Sequence, residues 1–313
     1  DQKDFKEADN AYKKALKFNP NSAASLNNYG RFKRLNFDLD GARKLLHKAC
    51  ELKPDHTDFA FSLALCYVSM EDIPSAKKWL KKAIKLNPNN TSGQIYLAFL
   101  AFLEGKMRHG WKLYEKRLEL DEFKSLSYGR PKWDGSDISG KTLLLLGEQG
   151  MGDTIQFIRY AKKIKGLGAQ VVVNVSEKLK TLFESVEGVT VVTTTLPSPR
   201  HFFRYSPLMS LPYVFKTATR SIPSHNRYMT APSKLIETWK KRIIKEPGLR
   251  VGLMWRGNPK FVSDRARSTS LQMMSQLLSV PEVSFFSLMV EIPKSDGKLP
   301  KKIVNIEVGE TVF

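Results

Sequence analysis

Two short stretches of the chain carry the residue types that chemistry needs. The first is Gly147-Glu148-Gln149-Gly150-Met151-Gly152-Asp153-Thr154, directly after the apolar run Leu143–Leu146. Against the phosphate-cradling pattern Gly-x-x-x-x-Gly-Lys-Ser/Thr, Gly147 and Gly152 fit, but Asp153 stands where lysine is required and would repel phosphate. Against the dinucleotide pattern Gly-x-Gly-x-x-Gly, Gly150 and Gly152 fit, and Ile155 replaces the third glycine. A third reading is a sharp turn that delivers Asp153 to a helix start at the carboxyl end of a strand, where open α/β sheets bind ligands. There its carboxylate is either a general base or an N-cap, a place Asp favours. One carboxylate can hardly cap firmly while accepting a proton.

The second stretch is Arg256-Gly257-Asn258-Pro259-Lys260, following the apolar segment Leu249–Trp255, with Arg265 and Arg267 close behind. A strand end with several cations suits an anionic leaving group, because a guanidinium binds two phosphate oxygens at once. An ordinary basic turn has the same composition. Other reactive types are sparse. Cys50 and Cys66 fall inside expected helices and read as small core residues, and His201 is a lone loop histidine of the kind ordinarily solvated. No Cys/His spacing for zinc is present, and no Asp-x-Asp pair follows residue 122.

Composition bounds the setting. The 313 residues carry 51 Lys and Arg against 31 Asp and Glu, a formal charge of +20. Residues 1–122 hold 22 basic and 16 acidic side chains, so most of the excess, +14, lies in residues 123–313. An anionic ligand is the natural partner of that part. Nucleic acid is disfavoured, for no recognition-helix, RNP or zinc motif accompanies the charge. The 42% apolar content is ample for packed cores, and two cysteines cannot form a disulfide scaffold. No apolar run reaches the ~18 residues of a membrane span. The expectation is a soluble, cytoplasmic protein of a reducing compartment, read here from a fragment because the chain opens at Asp1.

The first 122 residues repeat. At a shift of 34, Ala8, Ala42 and Ala76 align, as do Ala15, Ala49 and Ala83, and Pro20, Pro54 and Pro88; Tyr12, Leu46 and Leu80 fill a larger position. Small residues let two antiparallel helices approach closely, and proline ends the second of them. This pattern resembles the tetratricopeptide repeat, which implies a superhelix with a concave face for a protein or peptide partner. Repeat one lacks its first helix. The fourth unit, from about Thr91, places Gly110, Arg117 and Glu122 where Ala, Ala and Pro stood.

After a Gly-, Pro- and Ser-rich boundary at 127–141 the period changes. Short apolar runs at Leu143–Leu146, Val171–Val175 and Val189–Thr193 alternate with helical stretches at Thr154–Lys165 and Glu177–Ser185. That alternation predicts a doubly wound α/β domain. From Gly248 a second one begins, with strands expected at Leu249–Trp255, Val283–Met289 and Ile303–Ile306 and a helix at Leu271–Leu278. The expected organisation is α + α/β: a helical solenoid over 1–122, an α/β domain over 123–247, and the incomplete start of another over 248–313.

The segments HGWKLYEKR (109–117), PKWDGSDISGKTLLLL (131–146), GEQGMGDTIQFIRY (147–160) and SPLMSLPYVF (206–215) resemble bacterial tetratricopeptide proteins that carry a glycosyltransferase domain. That domain is similar to the heptosyltransferases, glycosyltransferase family 9, with the two-domain GT-B fold. The resemblance implies a metal-independent, inverting transfer from a nucleotide-diphospho-sugar co-substrate, with no resident cofactor. It assigns Asp153 as catalytic base and Glu148, Gln149, Gly150, Gly152 and Ser210 to the acceptor side. It assigns Arg256, Gly257, Asn258, Lys260 and Arg265 to the donor diphosphate. Phe203 occupies the place where the family has Asp, and the family's later donor-binding segment is absent from this sequence. The 313 residues alone are therefore expected to transfer no sugar. The alternative expectation is a non-catalytic tetratricopeptide scaffold with an inactive α/β part.

Overall fold

The computed structural model describes residues 2–124, 129–148, 150–224, 227–243, 246–258, 264, 267–292 and 296–306. In chain order the helices are α1 (Gln2–Phe18), α2 (Ala23–Leu35), α3 (Leu39–Leu52), α4 (Thr57–Ser69), α5 (Ile73–Leu86), α6 (Thr91–Leu103), α7 (Met107–Tyr114) and α8 (Asp121–Lys124). Then follow β1 (Thr142–Leu146), α9 (Met151–Phe157), α10 (Ala161–Gly166), β2 (Gln170–Asn174), α11 (Lys180–Phe183), β3 (Val191–Thr193), β4 (Arg204–Pro207) and α12 (Leu211–Val214). The last are α13 (Ser233–Ile243), β5 (Leu249–Leu253), α14 (Ser275–Leu278), β6 (Val283–Ser287) and β7 (Ile303–Asn305). They form two compact units, residues 1–160 with 198–224, and residues 161–197 with 225–313.

In the first unit α2–α3, α4–α5 and α6–α7 are helix pairs, and α1 carries Ala8 and Ala15, with Pro20 after it, in the register of Ala42, Ala49 and Pro54 on and after α3. The 34-residue register explains their closeness: Ala42, Leu46, Ala49, Ala76, Leu80 and Ala83 are all fully buried. Caps set the starts. The side chains of Ser22, Asp38, Asp72 and Asn90 accept the backbone N–H three residues on, satisfying donors that a helix start leaves open. Pro20, Pro54 and Pro88 follow the ends of α1, α3 and α5 by two residues. In the fourth unit Gly110 is buried against Phe102, whose ring would lie 2.4 Å from any added Cβ.

The same unit continues into β1 and β4, which pair in parallel from Leu143↔Arg204 to Leu146↔Pro207. Leu143, Leu144, Leu145 and Leu146 are all buried, as a strand covered on both faces requires. Residues 131–133 run beside β4, where the Trp133 N–H donates to the Tyr205 carbonyl at 2.7 Å. The helix expected over Thr154–Lys165 is interrupted by a 3₁₀ turn at Ile158–Tyr160. At that turn Tyr160 stacks on Phe215 and shares a 2.9 Å hydrogen bond with Thr217.

In the second unit β2 and β3 pair in parallel, and β5, β6 and β7 form a parallel sheet in that order. Leu253, Trp255, Leu271, Leu278, Phe285 and Ile303 make its core. Helical repeats followed by parallel sheets place the chain in the α plus α/β class.

Candidate functional site

The glycine loop leaves the carboxyl end of β1, as the apolar run before it predicted. Gly150 caps α9, and Asp153 lies in that helix's first turn. The Gly150 N–H donates to Asp153 Oδ2 at 3.3 Å, the half of a capping box in which the third residue reaches back. Thr154 Oγ donates to the Gly150 carbonyl at 3.1 Å. The carboxylate thus sits half-buried on the backbone of its own turn. Gly152 has open space around its Cα, and Gln149 lies outside the described residues.

Glu148 has a different task. Its side chain is buried, and Arg117, only 1% exposed, lies against it. Arg117 Nε and Nη2 donate to Glu148 Oε2 and Oε1 at 2.9 and 2.8 Å. Nη1 donates to the Tyr114 carbonyl at 3.2 Å and to Glu115 Oε1 at 2.9 Å, and Nη2 to Ser210 Oγ at 3.0 Å. Each of the guanidinium's five N–H groups therefore has an acceptor. Glu148 Oε1 also accepts the Met209 N–H at 2.9 Å, and Glu115 Oε2 accepts from Lys132 Nζ at 2.6 Å. Burial alone would lower the Arg117 pKa, but Glu148 and Glu115 outweigh it and raise the value.

Three of the sequence segments singled out above, around Arg117, Glu148 and Ser210, thus meet in one hydrogen-bonded cluster. Sequence reasoning left Arg117 out of the site. Its signal was present: an arginine in a register where earlier repeats carry the buried Ala49 and Ala83. His201 is exposed in a 3₁₀ turn. Phe203 is partly exposed, with Lys141 and Arg204 over its ring at 5.7 and 5.5 Å.

In the second unit the basic loop follows β5. Arg256 Nη2 donates to Asp296 Oδ1 at 2.5 Å, and the Trp255 indole N–H to Oδ2 at 2.7 Å. Burial pushes the Asp296 pKa up; Trp255 and Arg256 outweigh it and leave the value below the ordinary one. The Gly257 N–H donates to Ser268 Oγ at 2.9 Å, and that hydroxyl to Asp264 Oδ2 at 2.8 Å. Asn258 is exposed, and Lys260 and Arg265 lie outside the described residues.

Within the repeats, α2 and α4 flank a cavity of about 390 Å³ whose walls include Asn27, Arg31, Arg34, Phe59, Phe61 and Leu65. The cysteines take no part. Burial raises the Cys50 thiol to about 11 and lifts Cys66 as well, so neither is a thiolate at neutral pH. Among the described residues no group of three or more His, Cys, Asp or Glu is placed to hold a metal. No helix among them is long and apolar enough to cross a membrane.

Comparison with known proteins agrees with the repeat geometry. Residues 34–101 match one tetratricopeptide repeat family model, and residues 1–22 match a second. The chain carries tetratricopeptide repeats. It is also similar to Protein FlbA of Caulobacter vibrioides, at 25% identity over 330 residues, covering 97% of this chain and 55% of that protein. The chain thus spans about half the length of this curated relative. Among solved structures it resembles MamA, at 22% identity, 53% of this chain, 82% of that one and a TM-score of 0.36. It also resembles YrrB, described as a TPR protein with an unusual peptide-binding site, at 21% identity, 38% and 62% coverage and a TM-score of 0.33.

Proposed function

We propose that this chain is a protein-interaction module whose tetratricopeptide repeats receive a polypeptide segment in the cavity between α2 and α4. The observation that carries this reading is the cavity itself, open on the first helices of consecutive repeats and walled by amide, cationic and aromatic side chains. A surface built from stacked helix pairs suits recognition of an extended chain. The test is selection of a random 12-residue peptide library displayed on phage against the immobilised protein. Peptides should be recovered that no longer bind once Ala24→Trp fills the cavity. Recovery of none, or of peptides indifferent to that substitution, rejects the reading.

Sugar transfer is the second reading, favoured by the position of two loops. Asp153 follows the carboxyl end of β1 and Arg256 that of β5, where parallel sheets gather ligands. In this reading the α/β part has the heptosyltransferase-like GT-B organisation. Asp153 would deprotonate an acceptor hydroxyl, which attacks the anomeric carbon with inversion as the nucleoside diphosphate leaves. Arg256, Gly257, Asn258, Lys260 and Arg265 would meet the diphosphate charge without a metal. Against it stand two engagements: the Asp153 carboxylate on Gly150 and the Arg256 guanidinium on Asp296. Calorimetric titration with UDP-, GDP- and ADP-sugars decides. Heat that disappears in Arg256→Gln supports transfer, and silence with all three removes it.

A further inference from the structure

The cavity between α2 and α4 holds polar groups that the protein leaves unanswered. Asn27 is 5% exposed; its amide N–H reaches Asn28 Oδ1 at 3.4 Å, while its own Oδ1 is buried without a hydrogen-bond partner. Arg34, three residues on from Arg31 along the same face, donates through Nη1 to Ser69 Oγ at 3.3 Å, and its Nε is buried without a partner. The Nδ1 of His56, stacked at 3.9 Å on Phe59, is in the same condition. Buried groups of this kind are ordinarily paired, so each of these three has a hydrogen bond to offer a group that enters the cavity.

The charges tell the same story. Among the described residues no carboxylate lies within ion-pair distance of Arg31 or Arg34, although Asp58 stands on the same wall. Their neighbour Lys33, on the opposite face of α2, has two, Asp9 at 3.2 Å and Asp38 at 3.1 Å. Burial, then the nearby Arg31, work against the charged form of Arg34. Two guanidinium groups thus stand together on one wall of this cavity. Phe61 and Leu65, both half-buried, complete the wall with apolar surface.

Resting on the protein-interaction reading, we propose that this cavity takes an extended acidic peptide. A carboxylate of the peptide bridges Arg31 and Arg34, a backbone N–H of the peptide donates to Asn27 Oδ1, and an adjoining apolar side chain covers Phe61 and Leu65. A guanidinium suits a carboxylate because it offers two parallel N–H donors. Asn27 Oδ1 requires a donor, which a peptide bond supplies at every residue. A nucleic acid would instead ask for a longer row of cations than two arginines provide.

Peptides recovered from the phage selection, synthesised with a fluorescein label, test this by anisotropy. They are expected to share an Asp or Glu. Its replacement by Asn or Gln should weaken binding roughly 10- to 100-fold, the range for a hydrogen bond to a charged group. Arg34→Gln, and separately the exposed Arg31→Gln, should weaken the acidic peptide to a similar degree and leave the amide peptide within about twofold. Unchanged circular dichroism and melting temperature would show that both variants fold. Peptides that compete with Ala24→Trp filling yet share no acid overturn this inference and leave the interaction reading standing. If no cavity-dependent peptide is recovered, both fall. A labelled 12-nucleotide single strand that binds more tightly than any peptide, and depends on Arg34, also overturns it.

Discussion

Arg117 holds Glu148 in a two-pronged ion pair, 2.9 and 2.8 Å long, between residues 31 positions apart in sequence. The arginine ends the last repeat and the glutamate opens the glycine loop, so this pair joins the helical array to the strand β1. Both partners are buried, and every donor of the guanidinium is matched. Its consequence is structural before it is chemical. Glu148 is committed to holding the loop and Ser210 together, leaving Asp153 as the loop's accessible acid.

Breaking that pair should therefore be costly. Glu148→Gln or Arg117→Ala leaves a buried charge without its counterpart, for which a loss of about 3–5 kcal/mol is expected. Replacing both by apolar residues of similar volume, Arg117→Met with Glu148→Leu, should recover much of that loss. Urea unfolding of the two singles and the double measures it. A single substitution costing under about 1 kcal/mol would mean that the pair does not secure the loop.

For Asp153 the expectation is modest. Its carboxylate meets one backbone N–H at 3.3 Å in the first turn of a seven-residue helix. Asp153→Ala should cost about 0.3–1 kcal/mol, the range for an acidic group at a helix start. Asp153→Asn keeps an acceptor and should cost less. A loss of several kcal/mol in thermal unfolding would show a structural anchor where a light cap is expected.

The repeats were legible because their geometry admits few side chains: a close helix crossing needs Ala42, Ala49, Ala76 and Ala83, and the 34-residue recurrence betrays them. The continuous strands were legible as apolar runs, β1 above all. β4 was not, since Arg-Tyr-Ser-Pro has neither alternation nor an apolar run; its strand character comes from pairing with β1 on one side and residues 131–133 on the other. The amphipathic α13 went unread although Leu235, Ile236, Trp239 and Ile243 recur at helical spacing, and none of its residues is buried. Around the glycine loop, sequence left base and N-cap open for Asp153; the N-cap is Gly150, and Asp153, three residues further on, reaches back to its N–H. The task of Glu148 was invisible because its partner lies in another element, on the far side of a change in period.

Acid should loosen the first repeat. Asp9 on α1 receives Lys13 at 2.7 Å, Tyr29 at 2.8 Å and Lys33 at 3.2 Å. The Lys13 hydrogen bond leads, burial opposes it, and Tyr29 and Lys33 add to it, taking the carboxyl from 3.8 down to about 2. A depressed carboxylate pKa means stability that is present above the ordinary value and lost as pH falls through the folded one. The stability difference between the protein and Asp9→Asn should thus be steady above about pH 5, shrink below about 4, and vanish near about 2. Melting temperatures across that range test it, and a difference that grows on acidification would contradict the assignment.

Gly248 should tolerate no side chain. It stands at φ +73°, and an added Cβ would lie 2.1 Å from the carbonyl oxygen of Glu282. That carbonyl accepts the Leu249 N–H at 2.9 Å, the first bond between β5 and β6. Backbone cannot swing aside as a side chain can, so Gly248→Ala must push the two strands apart at their shared end. Gly140 is the control, with φ +66° and no atom within 4 Å of an added Cβ. Its alanine variant meets only the backbone strain, about 1 kcal/mol. Gly248→Ala should cost about 1–3 kcal/mol more, the range for overpacking. Hydrogen exchange localises the effect: faster exchange at Val251 and Phe285 in Gly248→Ala, with Gly140→Ala unchanged there, is the expected pattern. Equal behaviour of the two variants would mean that the β5–β6 end can open to admit a methyl group.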